Sequence, residues 1–233
     1  MKTRSIVIRT TFALIPLGFA ATSVSADDRQ PTKVVELFTS QGCSSCPPAN
    51  ANLVEVSKQT GVLALSYSVT YWDYLGWKDT FGKKEFTERQ INYETPLGQS
   101  GPYTPQMIVN GATTTIGNDL RKLQSTISQT ARLKGPTLKL QRDRLTVGAL
   151  AGIRSADIWL VRYDPQIRTV EIARGENSGA HLQHAHVVHR LDRLGAWKGR
   201  ELSFTLPPPE NDLKTAVLVQ QPDGGKILAA VTD

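Results

Sequence analysis

Apolar and polar positions follow two different rhythms along this chain, and the change between them falls near residue 135. Lys33 to Phe38 is a short apolar run rich in Val, Leu and Phe, the pattern of a buried strand. Up to Gly61 the apolar positions then take helical spacing, with Ala49, Leu53 and Val56 on one face. Val62 to Val69 is a second apolar run, which predicts a βαβ unit with a parallel pair. Lys83 to Tyr93 predicts another helix, with Phe86 and Tyr93 two turns apart on one side. Met107 to Val109 reads as a strand, Asn110-Gly111 as a two-residue hairpin turn, and Ala112 to Ile116 as its antiparallel partner. Asn118 can cap a last helix, in which Leu120, Leu123, Ile127 and Ala131 repeat before Gly135-Pro136 closes it. The predicted order is β-α-β-α-β-β-α.

From Thr137 onward the period shortens. Alternating runs (Thr137 to Leu140, Arg144 to Val147, Asp157 to Tyr163, Thr169 to Ile172, Ala185 to Leu191, Glu201 to Leu206, Thr215 to Gln220 and Ile227 to Val231) are separated by turn signals such as Asp164-Pro165 and Asp223-Gly224-Gly225. Short strands without helices between them predict a β-sandwich or barrel. The pattern therefore predicts an α/β domain over 27–135 and an all-β, sandwich or barrel-like domain over 136–233.

The first residues follow neither rhythm. Lys2, Arg4 and Arg9 precede an apolar stretch from Phe12 to Ala21, and Val24-Ser25-Ala26 supplies the small residues a signal peptidase reads. This predicts a signal peptide over 1–26, cut after Ala26, and a secreted or periplasmic mature protein; an uncleaved anchor is the alternative. The formal net charge of +6 falls to +3 when those three basic residues leave, since no acid leaves with them. A mildly basic balance predicts no nucleic-acid partner. After residue 26 no apolar run is long enough for a membrane helix, so no stable insertion is expected once the leader is removed.

Against this background the only two cysteines of the chain acquire meaning. Val34-Val35-Glu36-Leu37-Phe38 delivers the chain into Gly42-Cys43-Ser44-Ser45-Cys46-Pro47, a strand feeding a Cys-x-x-Cys at a helix start. A helix beginning there, at Ser44 or Ser45 with Pro47 in its first turn, would stabilise a Cys43 thiolate through its N-terminal dipole. Cys46 would then resolve a mixed disulfide by intramolecular attack. Two alternatives stand beside this one. A structural disulfide across so short a loop constrains the unfolded chain little. A zinc site needs two further ligands, which only the histidines could supply.

Several blocks match a known pattern. Glu36 to Ala49, Tyr71 to Asp79, Phe86 to Gln90, Tyr103 to Met107, Gly175-Glu176-Asn177 and Val187-Val188 together resemble an uncharacterised family of secreted bacterial proteins with a domain of unknown function. Residues 31 to about 134 resemble the thioredoxin-like superfamily. The resemblance implies a thioredoxin-like N-terminal fold and secretion, and brings no established substrate. It also implies a cis peptide at Thr104-Pro105, beside the Cys-x-x-Cys, where the backbone of Thr104 is free to pair with an extended peptide. An ordinary trans proline entering an edge strand is the alternative. The chain departs from the family pattern at Ser68 and Thr70, where a histidine and an acidic residue are common.

The remaining candidates carry two readings each. Tyr71, Trp72, Tyr74 and Trp77 form a groove for an extended substrate or a satellite core under a long loop. Asp73 and Asp79 satisfy turns or cap the next helix, and a buried Asp73 would be placed to accept a proton from Cys46. Arg89 pairs with acids of the N-terminal half. All the histidines, His181, His184, His186 and His189, fall in one segment; on a strand His184 and His186 share a face and could hold copper or zinc.

The sequence thus predicts a thiol-disulfide oxidoreductase with Cys43 as nucleophile, Cys46 as resolving thiol, Thr104 and Pro105 as a backbone platform, and Tyr71, Trp72 and Trp77 at the substrate. It calls for no cofactor. The expected partner is a protein or small thiol or disulfide, and the oligomeric state is left open. The rivals are a binding protein with a structural disulfide and a copper or zinc carrier.

Overall fold

The computed structural model describes residues 30–210 and 212–233; the predicted signal peptide lies outside the described residues. The first half runs β1 (Lys33–Thr39), α1 (Pro47–Ser57), β2 (Val62–Ser68), a 3-10 turn (Asp73–Leu75), α2 (Lys84–Asn92), β3 (Gln106–Val109), β4 (Thr113–Thr115) and α3 (Leu120–Gln129). Its sheet has the order β2-β1-β3-β4, with β1 and β2 parallel and the other pairs antiparallel. The second half is β5 (Leu138–Leu140), β6 (Arg144–Val147), β7 (Ala156–Tyr163), β8 (Ile167–Glu171), β9 (His181–Ala185), β10 (Val188–Trp197), β11 (Leu202–Thr205), β12 (Lys214–Gln220) and β13 (Ile227–Thr232). These strands form sheets of order β10-β7-β12-β13, β11-β6-β5 and β8-β9.

The expected fold class, an α/β thioredoxin-like domain followed by an all-β one, is corrected by this architecture. Among the described residues thirteen strands in four sheets stand against only three α-helices, so the protein as a whole is mostly β. The reason lies in how β1 is buried. Every residue from Lys33 to Thr39 is buried, and successive side chains of a strand point to opposite faces. Val35 and Leu37 pack with Ala49, Leu53, Leu123 and Ile127 of α1 and α3. Val34 and Phe38 face the other way, into a cluster that holds Phe86 of α2 and its C-cap Tyr93 with Val161, Tyr163, Ala216 and Leu218 of the second half. Helices α1 and α3 supply one cover of the first sheet, and α2 together with another sheet supplies the second. A further cluster, built on Ile158, Leu160, Trp197, Val217 and Val219, fills the space behind it.

Glu36 lies between Val34 and Phe38 on the shared face, fully buried. Its charge is met by Arg89 of α2, whose Nε donates to Oε1 at 2.7 Å. Tyr93 also donates its hydroxyl to Glu36 and accepts from Gln220 Nε2 of β12 at 3.0 Å. The ion pair therefore sits where the two halves meet.

Three local expectations change. The cap of α3 is Asp119, whose carboxylate accepts from Lys122 N at 3.1 Å, and the helix stops at Gln129, short of Ala131. The cap of α1 is Cys46 itself, with Pro47 as the first helical residue. The run predicted from Ala185 to Leu191 is split between β9 and β10, because His186 takes a left-handed backbone with φ 48° and turns the chain.

Candidate functional site

Loop 40–46 leaves the C-terminal end of β1, and Cys43 and Cys46 are joined there by a disulfide. The Cys43 carbonyl accepts from Cys46 N at 3.1 Å, and the Cys46 carbonyl accepts from Ala49 N at 3.0 Å and Asn50 N at 3.1 Å. Cys46 is thus bound into the first turn of α1, while Cys43 lies outside it. The Ser45 hydroxyl is 3.7 Å from the Cys43 sulfur. Both cysteines have 0 % exposure, although Ser44 and Ser45 between them are exposed.

The peptide bond between Thr104 and Pro105 is cis. Gln106, the next residue, pairs with Phe38, so Pro105 enters β3 beside the point where the cysteine loop leaves β1. Trp72 ties the two together. Its indole Nε1 donates to Thr104 Oγ1 at 2.7 Å. Its own backbone carbonyl and Cβ lie only 3.3 Å from where a side chain on Gly42 would begin, so any side chain there would have to displace Trp72 by a few tenths of an ångström.

The aromatic block is built into this frame. Tyr71 donates to Gln90 Oε1 at 3.1 Å, and burial pushes its hydroxyl up to about 12. Trp77 donates to Gln41 Oε1 at 2.9 Å. Tyr74 alone stands free, 78 % exposed. Tyr71 and Trp72 also pack against the shared core.

Behind the loop lies Asp79, a buried carboxylate that the sequence placed only as a turn or cap residue. It accepts from Gln41 N at 2.8 Å and Phe81 N at 2.9 Å. Burial raises its pKa from 3.8 to about 6, against the pull of those two backbone donors. Asp73 is only half-buried, and its carboxylate accepts from Asp79 N at 3.1 Å within the turn. At the departures from the family pattern, Ser68 is buried next to Asp79, and Thr70 N donates to Thr87 Oγ1 at 3.1 Å.

The fourth element at the loop comes from the second half of the chain. The turn joining β8 to β9 buries Ile172, is exposed from Ala173 to Glu176, then buries Asn177. Asn177 Nδ2 donates to the carbonyls of Gln41 and Cys43, both at 2.9 Å. In the same turn Gly175, at φ 79°, rests against Trp77 and the Leu75 carbonyl. No periodicity in the sequence points to this contact; the only signal is that Gly175-Glu176-Asn177 belongs to the matched blocks.

The shared face expected for His184 and His186 is not formed, since β9 ends at Ala185 and His186 turns away to set Nδ1 2.9 Å from the Ala64 carbonyl. His181 is exposed, and His189 packs its ring on Phe81. His184 is buried with both ring nitrogens unpartnered and its ring edge-on to Phe81 at 5.5 Å. Burial lowers its pKa from 6.5 to about 4. Among the described residues no group of three His, Cys, Asp or Glu side chains is placed to hold a metal.

Two opposite pH dependences of stability follow. Asp79 has a raised folded pKa, so its stabilising contribution is present below pH 4 and is lost as pH rises to about 6. His184 has a depressed one, so its contribution is present above pH 6.5 and is lost as pH falls towards 4. Each shift of about two units corresponds to about 3 kcal/mol. Urea titrations across pH 4–7 should therefore show Asp79→Asn gaining on the wild type as pH rises, and His184→Phe gaining as pH falls. Curves parallel to the wild type would rule out either assignment.

A family model described as "Protein of unknown function (DUF1223)" matches residues 34–220. The X-ray structure of protein AGR_C_4864 from Agrobacterium tumefaciens is 33% identical and superimposes with a TM-score of 0.72, over 87% of this chain and 93% of that one. HBP35 of Porphyromonas gingivalis is similar in fold, at 18% identity and a TM-score of 0.55 over 88% of this chain and 75% of that one. No curated protein matches the chain.

Proposed function

The chain belongs to the DUF1223 family of proteins of unknown function, and we propose that it is a thiol-disulfide oxidoreductase working through Cys43 and Cys46, outside the cytoplasm. The observation that carries this reading is a disulfide spanning only Ser44 and Ser45 at the start of α1. A bond closing so small a loop removes little entropy from the unfolded chain, which makes it a poor staple for a protein with extensive cores. Placed at a helix N-terminus, the same bond is suited to reversible chemistry, because the thiolate released on reduction lies at the positive end of the α1 dipole, with the Ser45 hydroxyl 3.7 Å from the Cys43 sulfur. A kinship of the site with thioredoxin-like proteins, which set a Cys-x-x-Cys beside an X-cis-Pro, is part of the same reading.

In the reducing direction the Cys43 thiolate attacks a substrate disulfide, forms a mixed disulfide and expels one substrate thiolate. The Cys46 thiolate then attacks the Cys43 sulfur, restoring the Cys43–Cys46 bond and releasing the second substrate thiolate. Two electrons pass from the enzyme dithiol to the substrate, and a partner dithiol re-reduces the enzyme. With a dithiol substrate the same steps run in reverse, and a partner disulfide re-oxidises the pair. Thr104 and Pro105 present backbone to the substrate, and Trp72 fixes Thr104.

The full burial of both cysteines favours a second reading, a binding protein whose disulfide is structural. Reduction potential separates the two. Equilibrating the pair in dithiol buffers and trapping free thiols by alkylation should give a value between about −120 and −270 mV for a working couple. The protein should then also accelerate insulin reduction by dithiothreitol. A value below about −300 mV with no acceleration would mean a structural bond.

A further inference from the structure

The oxidoreductase reading leaves an accessibility problem. Neither cysteine exposes any surface, whereas thiol-disulfide exchange requires a thiolate to reach a sulfur in line with the bond it breaks. Some element must therefore move before Cys43 can react. Besides Asp79, whose carboxylate accepts from Gln41 N at 2.8 Å, three elements are held against loop 40–46, and they differ in how firmly they are anchored.

Trp72 and its neighbours are tied to Thr104, Gln90 and the shared core. Thr104-Pro105 runs directly into β3, a fully buried strand in the middle of the first sheet. The turn between β8 and β9 is different. Ala173, Arg174, Gly175, Glu176, Ser178 and Gly179 are exposed. Its backbone is closed on itself, by Gly179 N to Ile172 O at 2.7 Å and Ala180 N to Asn177 O at 3.0 Å, and it bends at Gly175 and Gly179, both with φ near 80°. Its polar attachment to the cysteine loop is the Asn177 side chain, with two hydrogen bonds from one amide nitrogen.

Resting on the oxidoreductase reading, we propose that Asn177 is the positioning residue of the cysteine loop, and that release of its hydrogen bonds to Gln41 and Cys43 admits the substrate to the disulfide. The chemistry of the contact suits that role. One NH2 group serves two carbonyls, so rotation of one side chain frees both. The anchoring strands need not move. β9 stays packed on α1, and the bond from Ser66 N to the His186 carbonyl at 3.0 Å keeps the far end of the hairpin on β2. Ile172 anchors the base of the turn in the core, while its tip from Ala173 to Gly179 is exposed except at Asn177, and such a tip is where local opening costs least. Asn177 holds the loop in its closed form; Cys43 and Cys46 carry the reaction.

The test is the rate of reduction of the wild-type disulfide and of two variants, measured by quenched alkylation. Asn177→Ala removes the amide. Asn177→Asp keeps its size, but a carboxylate accepts hydrogen bonds and cannot donate to either carbonyl. Two reductants are compared: dithiothreitol, which passes two electrons to the pair as it cyclises, and reduced thioredoxin, which must bring a protein surface to the site. Loss of two hydrogen bonds should speed reduction by dithiothreitol about tenfold to thirtyfold. Reduction by thioredoxin should rise further, because it needs the wider opening.

Unchanged rates in both variants overturn the proposal. So does an equal rise with both reductants that tracks a lowered thermal midpoint, the signature of general loosening. The outcome is separable from that of the underlying reading: faster, size-selective reduction in a protein whose potential is structural and whose turnover is nil supports Asn177 as the clasp and removes the oxidoreductase.

Discussion

Cys43→Ser should reduce turnover in the insulin assay to the uncatalysed rate, while Cys46→Ser should keep the first half of the reaction and stop there. The two cysteines are not equivalent in the fold. Cys46 caps α1, and its carbonyl already accepts from Ala49 and Asn50, so its backbone is committed to the helix. Cys43 stands one turn outside, with the Ser45 hydroxyl 3.7 Å from its sulfur as a donor for a developing thiolate. A serine at 43 leaves no group able to attack sulfur at neutral pH, because the hydroxyl stays protonated where a thiol ionises. A serine at 46 leaves that attack intact and removes the intramolecular thiolate that ends it. The mixed disulfide should then accumulate one substrate per chain, visible by mass spectrometry under non-reducing conditions. An adduct trapped on Cys46 in the Cys43→Ser protein, with none on Cys43 in the converse variant, would reverse the roles.

The same comparison bears on the buried acid. Asp79 holds the amide of Gln41, two residues before Cys43, and titrates near 6 because burial disfavours its charge. The loop is therefore fixed from below by a carboxylate and from the side by the Asn177 amide. Both groups act on backbone, which leaves the sulfur chemistry to the two cysteines.

What the sequence discloses of this arrangement is what local signals can encode. An apolar strand, a glycine, the paired cysteines and a proline follow one another in sixteen residues, and the structure keeps them in that order as β1, loop and α1. Pro105 is found at the head of β3 for the same reason, since a proline before an apolar run is legible by itself. The rest depends on distance in the chain. Asn177 reaches Cys43 across 134 positions, and nothing in its neighbours' spacing reports that. Asp79 and Asp73 read alike as turn acids; only the packing of Phe81 and Ser68 decides which of them is buried. His184 and His186 share a face on any straight strand, and the left-handed turn at His186 is not announced by a glycine or an asparagine. The fold class fails at the same level. Helical spacing in three stretches of nine to eleven residues does describe α1, α2 and α3, but it says nothing of the sheet that packs against Phe38 and Tyr67 and makes the protein predominantly β.

That shared face also holds the interaction whose loss should cost the fold most. Arg89→Ala should lower the free energy of unfolding by about 3–5 kcal/mol, the range for breaking a buried ion pair by removing one partner. Burial works against the Arg89 charge, and the Glu36 carboxylate beside it outweighs that, holding the guanidinium firmly protonated. The guanidinium lies 5.5 Å from the ring centres of Tyr67 and Tyr93 and 5.4 Å from that of Trp159, so rings from both halves surround it. Its Nη2 donates to the Tyr93 hydroxyl at 3.2 Å, and that hydroxyl is the group that Gln220 reaches from β12. Alanine would leave a carboxylate at 0 % exposure without its cation, together with the space the guanidinium occupied between three rings. Removing both charges is a different case, because a buried pair repays its desolvation poorly. Arg89→Met with Glu36→Leu should thus recover most of the loss, even though each change alone is damaging. Urea unfolding of the two single variants and the double variant decides it. If Arg89→Ala costs under about 1 kcal/mol, or if the double variant is as unstable as the sum of the singles, the pair does not hold the two halves together.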